Sequence, residues 1–181
     1  MKINRLNVEN EVKKGAIPRQ IECYSCMSLS YQTNWKYLQS TYIYPKVFTD
    51  RCRDPQQERA MPTVMCSSIC ISLLEPEIEA GVLIGFKHIR GCMDRVLRNG
   101  FNETAIRTHR FNQNNQCRTL SRAALFNPIK GQEQYALGEV QLCSCYGDRC
   151  NGGSAGTTFR FFTIISIVLI AGFLRPPWPD I

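Results

Sequence analysis

The chain has 181 residues, with 22 Lys and Arg against 15 Asp and Glu, two His and ten Cys. This length allows one domain of ordinary size. All ten cysteines lie between Cys23 and Cys150, and such an even number is typical of a small extracellular domain held together by disulfides. The composition argues against an enzyme with a deep apolar interior. A net charge of +7 does not by itself identify a partner such as nucleic acid.

Residues 1–21 form a polar, basic segment without a cysteine or an apolar run. A secretory leader needs an apolar stretch of about 7–15 residues near the start of a chain, and no such stretch is evident here. An alternative N-terminus, a misassigned start and a chain that is not exported are all compatible with this observation.

The cysteine spacing allows several chemistries. Cys23-x2-Cys26 is half of a zinc-ribbon site, but a second half with this spacing is missing, and His88 and His109 each stand alone. The residues before Cys23 lack the βαβ pattern that accompanies a thioredoxin-like redox site. Disulfides are therefore the favoured interpretation, with zinc binding and redox catalysis as the alternatives.

Residues 69–92 carry the clearest strand pattern. Ile69–Leu74 and Gly81–Arg90 are rich in β-branched and aromatic residues, and Glu75-Pro76-Glu77 lies between them. This pattern predicts a β-hairpin with a turn that contains Glu, Pro and Gly. His88 falls inside the second strand with no other His nearby, so we expect an ordinary strand residue and not a metal ligand.

The two ends of the Cys-rich region carry the motifs of a known family. Ile21–Cys26 resembles the opening LxCYxC of the urokinase-receptor and lymphocyte-antigen-6 superfamily. Cys143–Asn151 resembles its closing Cys-Cys-x4-Cys-Asn motif, with Ser144 inserted, and Ile89–Cys92 is similar to the invertebrate branch that includes quiver/sleepless proteins. The whole region most resembles the nematode Ly-6-related group linked to odour response in neurons.

This resemblance implies a small disulfide-rich all-β fold over residues 22–151. The expected domain is a three-finger, snake-toxin-like domain, in which β-hairpin loops (the fingers) extend from a disulfide hub. The implied disulfides are Cys23–Cys70, Cys26–Cys52, Cys66–Cys92, Cys117–Cys143 and Cys145–Cys150. Asn151 is expected to form hydrogen bonds back to the hub.

In such a domain the first finger would span Met27–Arg51. It contains six aromatic residues, namely Tyr31, Trp35, Tyr37, Tyr42, Tyr44 and Phe48. Tyr and Trp offer a large rigid contact area with a polar group, so some of these residues could bind a partner while the others pack on the hub. The candidate partner contacts are Tyr31, Trp35, Tyr37 and Tyr42.

The third finger would include Cys117–Cys143, with Ala136–Leu142 as its return strand. Before this finger, Asp94–Gly100 predicts one or two helical turns that end at Gly100. The basic residues of this region suit a solvated surface, and without a recognised motif we expect no nucleic acid partner. Asn102-Glu103-Thr104 is an N-glycosylation sequon, so we expect a glycan on Asn102 in an exported protein.

The end of the chain has the composition of a signal for attaching a glycosylphosphatidylinositol (GPI) lipid. Residues 152–160 form a small or polar spacer, and 161–181 contain an apolar run that is shorter than the roughly 20 residues of a spanning helix. Such a tail would be removed, and the candidate attachment residues are Asn151, Gly152, Gly153 and Ser154. Polar residues and prolines follow the run, so a short single-pass anchor and a buried C-terminal helix are the alternatives.

No catalytic motif is evident in the sequence. It lacks the nucleophile elbow, the zinc-protease motif, the Walker loop and the dinucleotide-binding loop. Glu75, Glu77 and Glu79 suit a solvated surface rather than acid–base chemistry. We therefore predict a protein that is not an enzyme and needs no cofactor or metal.

The function that the resemblance implies is binding at a cell surface. It implies a GPI-anchored protein on the outer face of the neuronal plasma membrane, which binds and modulates a receptor or channel in olfactory signalling. The alternatives are a secreted or single-pass ligand of the same fold and an intracellular zinc-binding protein.

Overall fold

The computed structural model describes residues 20–128 and 138–153. The polar segment up to residue 19, the spacer from Ser154 onward and the predicted GPI signal at 161–181 lie outside the described residues. Residues 129–137, at the predicted tip of the third finger, lie outside them as well. Within the described ranges, no helix is long and apolar enough to cross a bilayer.

Within residues 20–128 and 138–153, seven strands form two antiparallel sheets, and the elements given below are those of the same ranges. The strands are β1 Ile21–Tyr24, β2 Cys26–Met27, β3 Thr63–Cys66, β4 Cys70–Glu79, β5 Val82–Cys92, β6 Gln116–Ser121 and β7 Glu139–Cys145. Strands β1 and β3 pair with each other, and the larger sheet has the order β2-β5-β4-β7-β6. Four short helices lie in the connections: α1 Leu29–Thr33, α2 Trp35–Leu38, α3 Glu103–Thr108 and α4 Arg122–Leu125.

The central finger is the long hairpin of β4 and β5, which confirms the predicted pairing of these two segments. The turn is shorter than we expected, because Glu75, Pro76 and Glu77 lie within β4 and only Ala80 and Gly81 connect the strands. Ala80 and Gly81 have φ angles of 49° and 81°, the left-handed conformation that two-residue hairpin turns favour.

The third finger is the hairpin of β6 and β7. These strands pair from Gln116 opposite Ser144 to Ser121 opposite Glu139. The predicted return strand Ala136–Leu142 thus overlaps β7, whose described part begins at Glu139.

The first finger is not the expected β-hairpin. After β2 the chain forms α1 and α2, and it then passes through a loop to two 3-10 turns, Asp50–Arg53 and Pro55–Gln57. Strands β1 and β3, which flank this finger in the chain, form a two-stranded sheet at its base. Aromatic residues at helical spacing, such as Tyr31 and Trp35, bury one side of this segment against the larger sheet, so tertiary packing overrides the family expectation.

Between the central and third fingers, the start of the connecting segment contains less helix than we predicted. Asp94–Gly100 contains one 3-10 turn, Met93–Arg95, and the helix α3 begins only after Gly100. Asn102 starts α3 as its N-cap, because its side-chain oxygen accepts a hydrogen bond from the Thr104 amide at 2.9 Å. Phe101, Ile106 and Phe111 then pack in the core.

Five disulfides hold the base of the domain. They join the same pairs that the family resemblance implies: Cys23–Cys70, Cys26–Cys52, Cys66–Cys92, Cys117–Cys143 and Cys145–Cys150. Cys23, Cys66, Cys70 and Cys92 form one buried cluster, the disulfide hub. A separate apolar core lies between the larger sheet and the segments that cross it, and it includes Ile71, Leu73, Ile89, Phe111, Leu125 and Leu142.

Two polar side chains tie the end of the domain to the hub. The Asn151 side chain accepts a hydrogen bond from the Tyr24 amide and donates to the Tyr24 and Ile71 carbonyls, as expected. The buried Arg90 guanidinium donates to the carbonyls of Cys52, Arg53, Asn151 and Gly153 and to the Ser72 hydroxyl. These bonds join Asn151 and Gly153 to four distant parts of the chain, so they fix the position of the end of the domain.

Candidate binding surface

Two of the four predicted partner contacts are wrong. Tyr31 and Tyr42 are each only 1 % exposed, so they belong to the core and offer no surface to a partner. Trp35 is half-buried, and Tyr37 is 77 % exposed. The sequence could not separate these four residues because their burial depends on how the helices of the first finger pack on the sheet.

A buried polar cluster explains why the Tyr42 hydroxyl is tolerated in the core. The Tyr42 hydroxyl donates a hydrogen bond to the Glu75 carboxylate, and Arg122 forms an ion pair with Glu75 at 2.8 Å. Glu75 is 3 % exposed, so the prediction that it lies on a solvated surface is wrong. Burial and the neighbouring carboxylate raise the pKa of Tyr31 and Tyr42, which keeps both hydroxyls protonated.

Three of the remaining four aromatic residues of the first finger form a small cluster, and Tyr37 is not part of it. The rings of Trp35, Tyr44 and Phe48 lie edge to face in pairs, with centroids 5.1–5.3 Å apart. Because each ring packs against the other two, the cluster has no open cage between its faces. It stiffens the first finger and exposes one side of Tyr44.

Two of the four predicted GPI attachment residues are unsuitable. Asn151 and Gly152 are buried, and a Cβ atom at Gly152 would lie 2.4 Å from the Gln56 side chain. A transamidase needs an accessible backbone, which these two residues do not offer. Gly153 is exposed, and Ser154 lies outside the described residues.

Asn102 is the expected glycan residue, and His88 is the residue that we expected to be an ordinary member of a strand. Asn102 is half-buried as the N-cap of α3, and its side-chain oxygen is the atom that bonds to Thr104.

His88 is buried in β5, where burial and the nearby Arg90 and Arg53 lower its pKa to about 4. His88 is therefore neutral at physiological pH.

The sulfur atoms of the hub do not form a metal site. Those of Cys23, Cys66 and Cys92 lie within 4.8 Å of one another, a spacing that could suit a metal. Each of them is in a disulfide, and no cysteine of the chain is free. Zinc needs thiolate ligands, so the zinc alternative finds no support in this arrangement.

The outer half of the central finger exposes apolar side chains that we did not single out from the sequence. Ile78, Val82, Leu83, Ile84 and Phe86 are each about half exposed or more. Scattered apolar residues are normal on a surface, but five of them at one hairpin tip are a candidate interaction site.

A β-bulge places three of these residues, together with Pro76, on the same side of this finger. Pro76 pairs with Phe86, and Ile78 pairs with Leu83, with Ile84 as an extra residue in β5. Because Pro76 and Ile78 lie two residues apart in β4, they share one side of the sheet, and their partners share it too. We call Pro76, Ile78, Leu83 and Phe86 the apolar face.

The edges of this finger are poorly suited to pairing with another strand. Strand β7 pairs with β4 only as far as Leu74, and β2 pairs with β5 only as far as Ile89. Beyond these points, Pro76 lacks an N–H group on the β4 edge, and the bulge at Ile84 interrupts the β5 edge. Such features protect exposed edges against pairing with another strand, so the side chains and not the backbone edges are the groups available for contacts here.

A depression lies between the apolar face and the third finger. This depression, the socket, has a volume of about 300 Å³ and is lined by Leu74, Pro76, Leu83, Phe86, Thr119, Glu139, Val140 and Gln141. On the other side of Phe86, a more polar groove of about 490 Å³ lies between the central finger and α1. Phe86 is therefore a ridge between two concave surfaces.

A model of a family described as Caenorhabditis elegans ly-6-related protein matches residues 26–152, which is more than half of the chain. The chain belongs to this family. Its fold is accordingly the disulfide-rich three-finger fold of Ly-6 and urokinase-receptor proteins. Neither the curated proteins nor the solved structures contain a match to this ly-6-related chain.

The exposed apolar residues of this ly-6-related protein could have been found from one sequence signal. Val82–Phe86 is an apolar run without the alternation that a half-buried strand shows, and it lies beside the turn. Such a run at a hairpin end indicates side chains that the domain itself does not cover. The bulge at Ile84, which decides which of them share a face, has no comparable signal.

Proposed function

We propose that this chain is a GPI-anchored cell-surface protein that binds a neuronal membrane receptor or channel and modulates it in chemosensory signalling. The apolar face of the central finger is the contact surface in this proposal. The observation that carries it is the group of exposed apolar residues at the tip of a hairpin with protected edges. The proposed role is binding rather than catalysis.

The architecture suits such a role energetically. The disulfide hub and the Arg90 bonds hold the fingers in place before binding, so little conformational entropy is lost when a partner docks. A lipid anchor would confine the domain to the membrane plane and raise its effective concentration near a membrane partner. The Arg90 and Asn151 bonds also place the exit of the chain at the hub, away from the tip of β4 and β5.

The binding proposal can be tested by rescue of odour responses in an animal that lacks the protein. Wild-type chain should restore the response, and Leu83→Asp should not, because a charge at this exposed position disrupts the apolar face without entering the core. The control is Met65→Asp on β3, since Met65 is 50 % exposed and Leu83 is 54 % exposed. Rescue by Leu83→Asp at equal surface abundance would refute the proposal.

The anchor can be tested separately on intact cells. A phosphatidylinositol-specific phospholipase should release the protein if a GPI lipid holds it. Retention after treatment would instead favour a spanning tail, and release without treatment would favour a secreted ligand.

We also propose that Asn102 carries an N-linked glycan. The Asn102 side-chain oxygen is the atom that caps α3, which leaves the nitrogen without a role in the cap. Glycosidase treatment should lower the mass of the wild-type protein, and Asn102→Asp should remove this change while keeping the cap. An unchanged mass of the wild type after treatment would refute this proposal.

A further inference from the structure

The socket beside the apolar face combines two properties that restrict its occupant. Most of its lining is apolar, from Leu74, Pro76, Leu83 and Phe86, and its volume of about 300 Å³ is at the lower end of the range for ligand pockets. A site of this size fits one bulky side chain better than a folded surface. Buried anchors of this kind supply most of the energy of many interfaces.

The rim of the socket carries one charge. Glu139 is the one ionisable residue among the described residues that line it, and Glu139 is exposed. Among the described residues of the two fingers, the basic residues nearest in sequence to the lining face the other side of the sheet. Arg118 precedes the lining residue Thr119, and successive strand residues point to opposite sides. Lys87 lies over the Tyr31 ring at 5.3 Å, on the core side.

We propose that the socket receives a bulky apolar or aromatic side chain from an extended segment of the partner protein, and that a basic side chain of that segment pairs with Glu139. This inference rests on the proposed function, because it uses the same finger. It adds the chemistry of the partner, since an apolar site whose described lining has a carboxylate as its one ionisable group favours a cation over an anion.

The partner segment is represented in the test by two acetylated tripeptide amides, Lys-Trp-Lys and Glu-Trp-Glu. The full chain is placed in nanodiscs of zwitterionic lipid, and binding is followed by the methyl NMR signals of Leu74, Leu83 and Thr119, which line the socket. The basic peptide should shift these signals and bind about fivefold more tightly than the acidic one, as expected for an exposed ion pair. High salt should reduce this preference.

Variants separate the charge from the apolar contact. Glu139→Gln should abolish the preference between the peptides, and Glu139→Lys should reverse it, because Glu139 is exposed and has no core contact to lose. Leu83→Asp should abolish the shifts, whereas Met65→Asp should leave them unchanged. Equal binding of both peptides, no binding of either peptide, or an unchanged preference in Glu139→Gln would overturn the inference.

This inference and the proposed function can fail independently. If the peptides show no charge preference but Leu83→Asp still abolishes rescue of the odour response, the contact surface stands and the partner chemistry is wrong. If Leu83→Asp rescues fully, the proposed function fails whatever the peptides show.

Discussion

Buried charge is the feature of single residues that most constrains this domain. Glu75 lies in the core with Arg122 and the Tyr42 hydroxyl, and Arg90 lies beside the hub with carbonyl partners from two segments and the Ser72 hydroxyl from a third. A charge is tolerated in such places only when it is paired or fully hydrogen-bonded. Glu75 and Arg122 thereby join the central finger to the segment after β6, and Tyr42 joins both to the first finger.

Removal of the cation from this cluster should destabilise the fold. Arg122→Met leaves the Glu75 carboxylate buried without its partner, so we expect the free energy of unfolding to fall by about 3 kcal/mol. Urea unfolding with the disulfides intact measures this change. The control is Glu75→Gln/Arg122→Met, which removes both charges and should recover much of the loss. A double variant as unstable as the single one would assign the cost to packing.

His88 predicts a pH dependence of stability. Its pKa in the folded chain is about 4, below the ordinary value of 6.5, because of burial and the nearby Arg90 and Arg53. Between these values the unfolded chain binds a proton that the folded chain does not. The stabilisation is therefore fully present above pH 6.5 and is lost as the pH falls towards 4.

The size of this effect is about 1–2 kcal/mol between pH 7 and pH 5. It can be measured as the difference in urea unfolding between wild type and His88→Gln at each pH. The stability of the variant should change less over this range. Parallel curves for the two proteins would show that His88 does not titrate as expected.

At the level of elements, the disulfides differ in what surrounds them. Cys66–Cys92 and Cys117–Cys143 both join residues 26 positions apart, so loop entropy predicts a similar contribution of roughly 3.5 kcal/mol from each. Cys66 and Cys92 are buried in the hub, whereas Cys117 is exposed on β6 opposite Cys143. The surroundings of the two disulfides should therefore decide which one contributes more to the free energy of unfolding.

Replacement of each pair by alanine tests this expectation. Cys66→Ala/Cys92→Ala should cost at least about 1 kcal/mol more than Cys117→Ala/Cys143→Ala, because it also leaves a cavity in the hub. Thermal or urea unfolding of the two double variants gives the comparison directly. Equal losses would mean that loop entropy alone sets the contribution of each bond.

At the level of the whole molecule, covalent bonds replace a large apolar core. Five disulfides, two of which form the buried hub, support the three fingers together with the apolar core described above. Intact mass should increase by about 10 Da on reduction, two hydrogens for each of five disulfides, and the native protein should carry no zinc. A native protein with ten free thiols would contradict this fold.

Much of this arrangement could be predicted from the sequence. The cysteine motifs identified the family and implied the pairs, and the β-branched runs located the central and third hairpins. The helices of the first finger were missed because the family expectation favoured a hairpin there. Glu75 was assigned to the surface because its partners, Tyr42 and Arg122, are 33 and 47 positions away in the chain.

The sequence by itself determined the class of the protein. The number and spacing of the cysteines and the periodicity of the strands depend only on positions that are close together in the chain. Only the tertiary structure decided the surface. It placed Tyr31 and Tyr42 inside and Tyr37 outside, and it used one extra residue, Ile84, to bring Leu83 and Phe86 to the same side. Exposure depends on which distant segments pack together and on strand register, and neither can be read from neighbouring residues.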